Sequence, residues 1–285
     1  MRREKVELDS GRGWLSGVLT RGLAPTAPLV VALHGASYDA RYFDASGRSV
    51  HERAHAEGLS MLSITRPGYP ATDESASCQP DFATAAVLLS SAIADAWSRF
   101  GVDGSGVVLM GHSVGAAIAV HIASQPSEWP LLGLAISGVG DRPAGGPATM
   151  FAGMPVDRGL EIPFAQVGSM FYSSDVLIDQ SVTTRLAGLL VPFPSADVVE
   201  VNTTWRDDLP RLAAAVTVPV DYTLAEGDRL WEVGIERLRD FGECFVASSG
   251  FTSRIWRGVG HNIEHHAAGV GYVDQVLKFV KSCGG

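Results

Sequence analysis

The sequence predicts an α/β protein in which a mainly parallel β-sheet is covered by helices on both faces. Two observations support this fold class: short apolar runs alternate with helix-like segments, and one of those runs leads directly into a Gly-x-Ser-x-Gly pentapeptide. Such alternation is typical of parallel sheets, because each helix returns the chain to the starting edge of the sheet. The 285 residues suffice for one large domain or for a domain with an insertion.

The individual elements follow from local patterns. Strands are predicted at residues 14–20, 29–33, 59–65, 106–110, 131–137, 218–224 and 251–256. Helices are predicted at residues 43–57, 81–100, 116–123 and 272–280. The strongest helix pattern lies at 81–100, where apolar residues recur at a spacing of three and four positions.

Residues 140–208 interrupt the alternation. This segment begins Gly- and Pro-rich and then carries apolar side chains: Met150, Phe151, Met154, Phe164, Met170, Phe171, Tyr172 and Phe193. The sequence therefore predicts a cap at 140–208 above a core formed by 1–139 and 209–285. Each of these apolar side chains is as consistent with the cap's own core as with a pocket lining.

Composition excludes several classes of partner. The chain has 22 basic and 31 acidic residues, a net charge of −9, which disfavours binding to nucleic acid or to an anionic membrane. It shows no signal-peptide pattern and no long apolar stretch, so we expect a cytoplasmic protein. The three widely spaced cysteines, Cys78, Cys244 and Cys283, form no metal or disulfide pattern, and no cofactor is expected.

The pentapeptide is Gly111-His112-Ser113-Val114-Gly115. An apolar strand precedes it, and small residues that favour a helix follow it. A strand, a sharp turn and a helix hold a serine hydroxyl exposed above the sheet edge, and glycines flank the serine because side chains would collide in so tight a turn. Ser113 is therefore the predicted nucleophile.

Serine-based acyl transfer also needs a base and an acid that orients it. After such a turn the acid comes next in the chain and the histidine last. His261 lies in a Gly-rich turn and is the predicted base, whereas His265 and His266 are expected in the first turn of the last helix. For the acid we prefer Asp228, which lies further out of its strand, over Glu226.

The remaining requirement is an oxyanion hole of two backbone N–H groups. One is that of Val114, the residue after the nucleophile. The other is predicted at Ala36, with Ser37 as the alternative, in the loop after the strand at 29–33. The His112 side chain is expected to point away from the site.

Together these residues resemble the α/β-hydrolase superfamily over nearly the whole chain. The matching positions are His34-Gly35, Arg66-Pro67-Gly68-Tyr69, Gly111 to Gly115, Asp228 and His261. The resemblance implies an eight-stranded sheet with one antiparallel strand and a cap inserted after the sixth strand. A serine nucleophile argues against the dehalogenases of that superfamily, which use aspartate.

The function expected from these residues is hydrolysis of a carboxylic ester or thioester through an acyl-enzyme. The cap's aromatic and methionine residues favour an apolar or aromatic acyl group on a small-molecule substrate. An acyltransferase that passes the acyl group to a carrier-protein thiol or another small nucleophile is the alternative, with Arg142 and Arg158 as candidate contacts to an acidic carrier. A non-catalytic binder that keeps the fold is the third possibility.

A competing motif is His-Glu-x-x-His, which begins at His51 and ends at His55. On a helix this pattern places two imidazoles on one face as zinc ligands, and Glu74 could supply a third. Two prolines at 67 and 70 argue against a second helix that would carry Glu74 to the pair. We therefore expect two partly solvated helix histidines and no bound metal.

Overall fold

The structure is a computed structural model that describes residues 1–45, 47–70, 72, 80–101, 103–156, 159–172 and 180–285. One eight-stranded sheet contains β1 (Arg3–Asp9), β2 (Trp14–Thr20), β3 (Leu29–Leu33), β4 (Ser60–Ile64), β5 (Val107–His112), β6 (Leu131–Ser137), β9 (Val220–Ala225) and β10 (Phe251–Trp256). Two short strands, β7 (Gly159–Leu160) and β8 (Phe193–Pro194), pair with each other.

The strand order in the large sheet is β1-β2-β4-β3-β5-β6-β9-β10. β2 runs antiparallel to both of its neighbours, and the other pairings in the sheet are parallel. The predicted fold class is therefore confirmed, including the single antiparallel strand. β1 was not predicted, because its exposed charged residues alternate with partly buried ones at the sheet edge.

Helices lie on both faces of the sheet and in the segment between β6 and β9. They are α1 (Val50–Ala56), α2 (Phe82–Ala96), α3 (Val114–Ala123), α4 (Gly145–Ala152), α5 (Phe164–Phe171), α6 (Gln180–Ala187), α7 (Ser195–Asn202), α8 (Trp205–Ala213), α9 (Ile235–Glu243) and α10 (Gly269–Cys283). Within the described ranges, no helix is long and apolar enough to cross a membrane.

The apolar strands are explained by burial on two sides. In β3, Val31 and Leu33 join the core cluster that includes α2 and α3, whereas Val30 and Ala32 join the cluster that includes α1 and α10. Successive side chains of a strand point to opposite faces, so a central strand covered on both faces needs apolar residues at every position.

The helix predicted at 43–57 is shorter than expected. A 3₁₀ helix covers Ala40–Asp44, and α1 begins only at Val50. Gly47, with φ +79°, separates the two, and this left-handed conformation is the one that glycine adopts without strain. Ser49 then caps α1, because its hydroxyl accepts the Glu52 N–H at 3.0 Å.

The segment between β6 and β9 contains helices α4 to α8 and the short strands β7 and β8. The predicted cap boundary at 208 falls inside α8, and the division into cap and core stays a prediction. A buried ion pair ties α7 to the turn after β4: Arg66 Nη2 lies 2.7 Å from Asp197 Oδ2, with side chains 1% and 5% exposed. Tyr69 donates its hydroxyl to the same carboxylate at 2.6 Å.

Candidate active site

Ser113 lies at the turn between β5 and α3, and its backbone is strained. Its φ of +56° and ψ of −125° are rare for a residue with a side chain. A Cβ on Gly111 would lie 2.6 Å from the Ala116 Cα, and one on Gly115 would lie 2.2 Å from the Leu33 carbonyl oxygen. Both glycines are thus required for the close approach of helix and strand that holds Ser113 at the turn.

His261 and Asp228 are brought together at the same edge of the sheet. The His261 Nδ1 lies 2.8 Å from Asp228 Oδ2, and their side chains are 2% and 0% exposed. The other carboxylate oxygen accepts the Leu230 N–H at 2.9 Å. A carboxylate can only accept, so His261 carries its proton on Nδ1 and leaves Nε2 free to accept another.

The alternative acid, Glu226, points to a different neighbour. Its side chain accepts the N–H of Gly258 at 3.0 Å, on the exposed side of the turn that leads to His261. Asp221, further back in β9, is paired with Arg254 at 2.8 Å. Of these three carboxylates, Asp228 is the one that contacts the predicted base.

Ser113 and His261 line one cavity, together with the loop after β3. Ala36 and Val114 lie on its wall. Val114 is the first residue of α3, so its N–H has no acceptor within the helix. Among the described residues, neither the Ala36 nor the Val114 N–H donates to a protein atom. The catalytic roles of these residues stay predictions.

His112 differs from expectation, because its ring lines the cavity instead of pointing away. The ring centroid lies 4.9 Å from that of His261. The ring is held by Ser137 Oγ, 3.2 Å from Nδ1, and by Asn262 Oδ1, 3.2 Å from Nε2. Burial and the neighbouring His261 lower the pKa of His112 well below its usual value, so it remains a neutral ring.

A chain of buried hydrogen bonds continues from Asn262. Asn262 donates its Nδ2 to the Tyr38 hydroxyl at 3.0 Å, so its Oδ1 accepts the His112 Nε2 proton. The Tyr38 hydroxyl lies 3.4 Å from that of Tyr172. Tyr172 donates to His265 Nδ1 at 2.9 Å, because His265 Nε2 donates to the Tyr42 carbonyl oxygen at 3.0 Å. We call this series of hydrogen-bonded groups the histidine chain; its members are Ser137, His112, Asn262, Tyr38, Tyr172, His265 and the Tyr42 carbonyl oxygen.

His265 and His266 are also placed differently from prediction. They precede α10, and both are buried beside the cavity wall. Burial lowers the pKa of each to about 4. The polar run that follows His261 in the sequence thus supports the turn that carries His261 rather than forming the first turn of the last helix.

Glu264 is a buried acid that the sequence analysis did not identify. Tyr42 donates its hydroxyl to Oε2 at 2.7 Å, and Oε1 has no hydrogen-bond partner. Burial raises the pKa of this carboxyl to about 7. Only its position three residues after His261 could have drawn attention to it, since spacing does not show which residue of such a run is buried.

The rest of the cavity wall is apolar except for Asn202. Its apolar residues are Phe151, Ile162, Phe171, Phe193, Val198 and Val201 from the segment between β6 and β9, and Leu230 and Trp231 after β9. Its volume is about 30 Å³, so it is narrow. Of the aromatic and methionine residues singled out in the sequence, three line the cavity: Phe151, Phe171 and Phe193. Tyr172 belongs to the histidine chain, and the side chain of Met150 lies outside the described residues.

The two histidines of the His-Glu-x-x-His motif do not face a common ligand position. His51 is buried, with Nδ1 3.0 Å from Thr20 Oγ1 and Nε2 2.9 Å from Ser63 Oγ. His55 is directed to the Arg21 carbonyl oxygen at 2.9 Å. The expectation of partial solvation is therefore wrong for His51. Glu74 lies outside the described residues.

Of the two arginines predicted to contact an acidic carrier, the structure describes only Arg142. Arg142 is half-exposed, and its Nε lies 3.9 Å from Asp141 Oδ2. Arg158 lies outside the described residues.

A model of the alpha/beta hydrolase family matches residues 30–273 of the chain. The chain therefore belongs to the alpha/beta hydrolase family and is an enzyme of the hydrolase type. No curated protein sequence matches it.

Similar solved structures share the fold over nearly the whole chain. A soluble variant of monoglyceride lipase from Saccharomyces cerevisiae aligns with a TM-score of 0.78 and 12% identity, over 99% of this chain and 95% of that one. A thermostable carboxyl esterase from Bacillus coagulans aligns with a TM-score of 0.74 and 12% identity over 100% of both chains. An E-2-(acetamidomethylene)succinate hydrolase aligns with a TM-score of 0.72 and 15% identity, over 98% and 99%.

Proposed function

We propose that the protein is a serine hydrolase that cleaves carboxylic ester or thioester bonds through an acyl-enzyme. The observation that carries this proposal is one cavity that contains Ser113 at a strained turn and His261 held by a fully buried Asp228. A nucleophile, a base and a group that orients the base are the parts that this chemistry needs. The esterases and lipases among the similar folds are in keeping with it.

In the first half-reaction, Ser113 Oγ attacks the carbonyl carbon while His261 Nε2 takes the hydroxyl proton. The Ala36 and Val114 N–H groups bind the resulting oxyanion, each contributing about 3–4 kcal/mol. When the tetrahedral intermediate collapses, His261 gives the proton to the leaving alcohol or thiol. In the second half, His261 takes a proton from water, hydroxide attacks the acyl-enzyme, and Ser113 regains its proton as the carboxylic acid leaves.

The residues that line the cavity favour a substrate with an uncharged apolar or aromatic acyl group. Within the described part of the chain, the lining residues include aromatic and aliphatic side chains but no lysine or arginine. A carboxylate on the acyl group would lose its hydration there without gaining a cation, and burial of an unpaired charge is costly. The narrow volume further favours short acyl groups.

We propose hydrolysis, rather than acyl transfer to a carrier protein, as the reaction of this site. Arg142, the candidate basic contact within the described residues, lies next to Asp141, and this acid reduces the attraction of the surface for an acidic carrier. The carrier partner and the cytoplasmic location stay predictions.

A fluorophosphonate probe tests the proposal, since it reacts with an activated serine. We expect stoichiometric labelling of the wild-type protein at Ser113, turnover of short p-nitrophenyl esters and acyl thioesters, and no labelling of Ser113→Ala. A folded wild-type protein that neither labels nor turns over any member of such a panel would be a binder that keeps the fold, and the proposal would be wrong.

A further inference from the structure

The cavity contains a hydroxyl group that has no hydrogen-bond partner. Ser37 is 2% exposed and lines the cavity, and no atom of the described residues forms a hydrogen bond with its Oγ. Buried polar groups in native proteins are almost always paired, so an orphan of this kind calls for a functional explanation. Apart from the hydroxyl of Ser113, the predicted nucleophile, the other polar side chains of the cavity differ in this respect, because His112, Asn202, Asn262 and His261 are all hydrogen-bonded.

The backbone of Ser37 is held in an unfavourable conformation. Its φ is +69°, and in the described part of the chain Ser113 is the only other non-glycine residue with a positive φ. Such a conformation persists only where the surroundings impose it. Here the Ser37 carbonyl oxygen accepts the Val191 N–H at 2.9 Å, and the next residue, Tyr38, is fixed in the histidine chain.

The same loop is in direct contact with the nucleophile. A Cβ built on Gly35 would lie 2.9 Å from the Ser113 Cβ and 3.4 Å from its Oγ. Ser37 follows Ala36, whose N–H is the predicted oxyanion donor. Ser37, with its buried hydroxyl and strained backbone, is thus part of the wall of the cavity that contains Ser113, next to the predicted oxyanion donor.

We propose that the Ser37 hydroxyl donates a third hydrogen bond to the oxyanion, beside the Ala36 and Val114 N–H groups. This inference rests on the proposed acyl-enzyme function. The hydroxyl remains unpaired until the tetrahedral intermediate forms, so the bond is made in the transition state and increases kcat rather than ground-state binding. Donors placed before the reaction in a water-poor site are the ones that stabilise an oxyanion most.

Two substitutions separate the hydroxyl from the backbone strain. Ser37→Ala removes the hydroxyl and keeps a Cβ at the positive φ, whereas Ser37→Gly removes the hydroxyl and also relieves the strain. We expect both variants to lose kcat by about 100-fold with KM changed less than about threefold. Neither should unfold at a lower temperature than the wild type, because an unpaired buried hydroxyl does not stabilise the fold.

A thionoester substrate gives a readout that a structural role would not change. Its sulfur is a weak acceptor, so loss of the Ser37 hydroxyl should reduce kcat on the thionoester far less than on the matching ester. Equal losses on both substrates, a normal kcat for either variant, or an impaired Ser37→Ala beside a normal Ser37→Gly would each overturn the inference.

Failure of the inference is distinguishable from failure of the proposed function. If the wild type labels at Ser113 and Ser113→Ala is inert while both Ser37 variants are normal, only the third donor is wrong. If the wild type forms no acyl-enzyme at Ser113, both the function and the third donor are wrong.

Discussion

The two halves of the cavity are built in different ways. The polar half comes from the ends of β3, β5 and β9 and the turn after β10, and single residues define it through strained dihedrals and short hydrogen bonds. The apolar half comes from side chains on several separate segments between β6 and β9 and from Leu230 and Trp231 after β9, and only their packing defines it. The polar half therefore depends on a few residues, each with its own fixed geometry, whereas the shape of the apolar half depends on many side chains together.

The two halves are physically connected at the histidine loop. The Phe171 carbonyl oxygen accepts the Asn262 N–H at 3.1 Å, and the Phe171 ring centroid lies 5.4 Å from that of His261. Tyr172 adds its hydrogen bond to His265. The end of α5 thus supports the predicted base, and the polar half is not independent of the segment between β6 and β9.

The largest effect should come from the nucleophile. Ser113→Ala removes only Oγ at the turn, so the fold should remain while turnover falls by about 10⁴-fold or more. Steady-state rates and thermal unfolding of purified wild type and variant check this. A variant that keeps more than a few per cent of the wild-type rate, in a preparation free of contaminating esterase, would contradict the serine mechanism.

The next effect concerns the acid that contacts His261. Asp228→Asn places an amide against Nδ1 and favours the wrong imidazole tautomer, so kcat should fall by about 10³–10⁴-fold. Glu226→Gln is the matched control, because Glu226 contacts the Gly258 N–H instead, and it should stay close to wild type. The rate of acyl-enzyme formation measured for both variants decides, and the opposite ranking would show that Glu226 is the acid.

Much of the polar half can be predicted from the sequence, because each of its residues lies in a short segment whose residue types are recognisable. The glycines at 111 and 115 are needed for the approach of α3 to β3 and β5, and chain order alone directs attention to a late histidine. The choice between Asp228 and Glu226 required geometry, since both follow the same strand by a few residues.

The remaining features depend on tertiary packing, which no local pattern encodes. The apolar run of the cap did not indicate that Phe151 lines the cavity whereas Tyr172 joins a polar chain. The motif at His51 resembles a zinc site in the sequence. In the structure, however, the His51 ring nitrogens are paired with the hydroxyls of Thr20 in β2 and Ser63 in β4, which the local pattern does not indicate. Burial of Glu264 is likewise visible only once α10 and the 3₁₀ helix are in place.

The ion pair between Arg66 and Asp197, which joins α7 of the apolar half to the turn after β4, should contribute to the stability of the fold. Asp197→Asn leaves the buried Arg66 charge without its partner, which should reduce the free energy of unfolding by about 3–5 kcal/mol. The double variant Arg66→Met/Asp197→Leu should recover much of this loss, because it removes both charges. Urea unfolding measures both variants, and a single variant as stable as wild type would show that this contact does not hold α7.

A smaller effect is expected from enlarging the apolar half. Phe151→Ala should raise the kcat/KM for longer acyl chains relative to acetyl by about tenfold, since it removes part of the cavity wall. Phe164→Ala is the control, because Phe164 is half-buried in the same segment but does not line the cavity. Equal profiles for Phe151→Ala and wild type across a chain-length series would contradict the assignment of this wall.

The smallest effect is expected from metal removal. Because both ring nitrogens of His51 are already hydrogen-bonded within the core, a chelator should leave the rate unchanged, and the purified protein should contain far less than one equivalent of zinc. Zinc near one equivalent that is lost together with activity would replace the serine mechanism with a metal-dependent one.

The histidine chain limits where a proton on His261 can move. Each of its donors points the same way, from Ser137 through His112 and Asn262 to the Tyr42 carbonyl oxygen. His112 has no free ring nitrogen and strongly resists protonation, so in the proposed mechanism it would not take up the proton that His261 removes from Ser113. In that mechanism the proton is therefore confined to His261 for the lifetime of the tetrahedral intermediate, where it is available for the leaving group rather than lost into the protein interior.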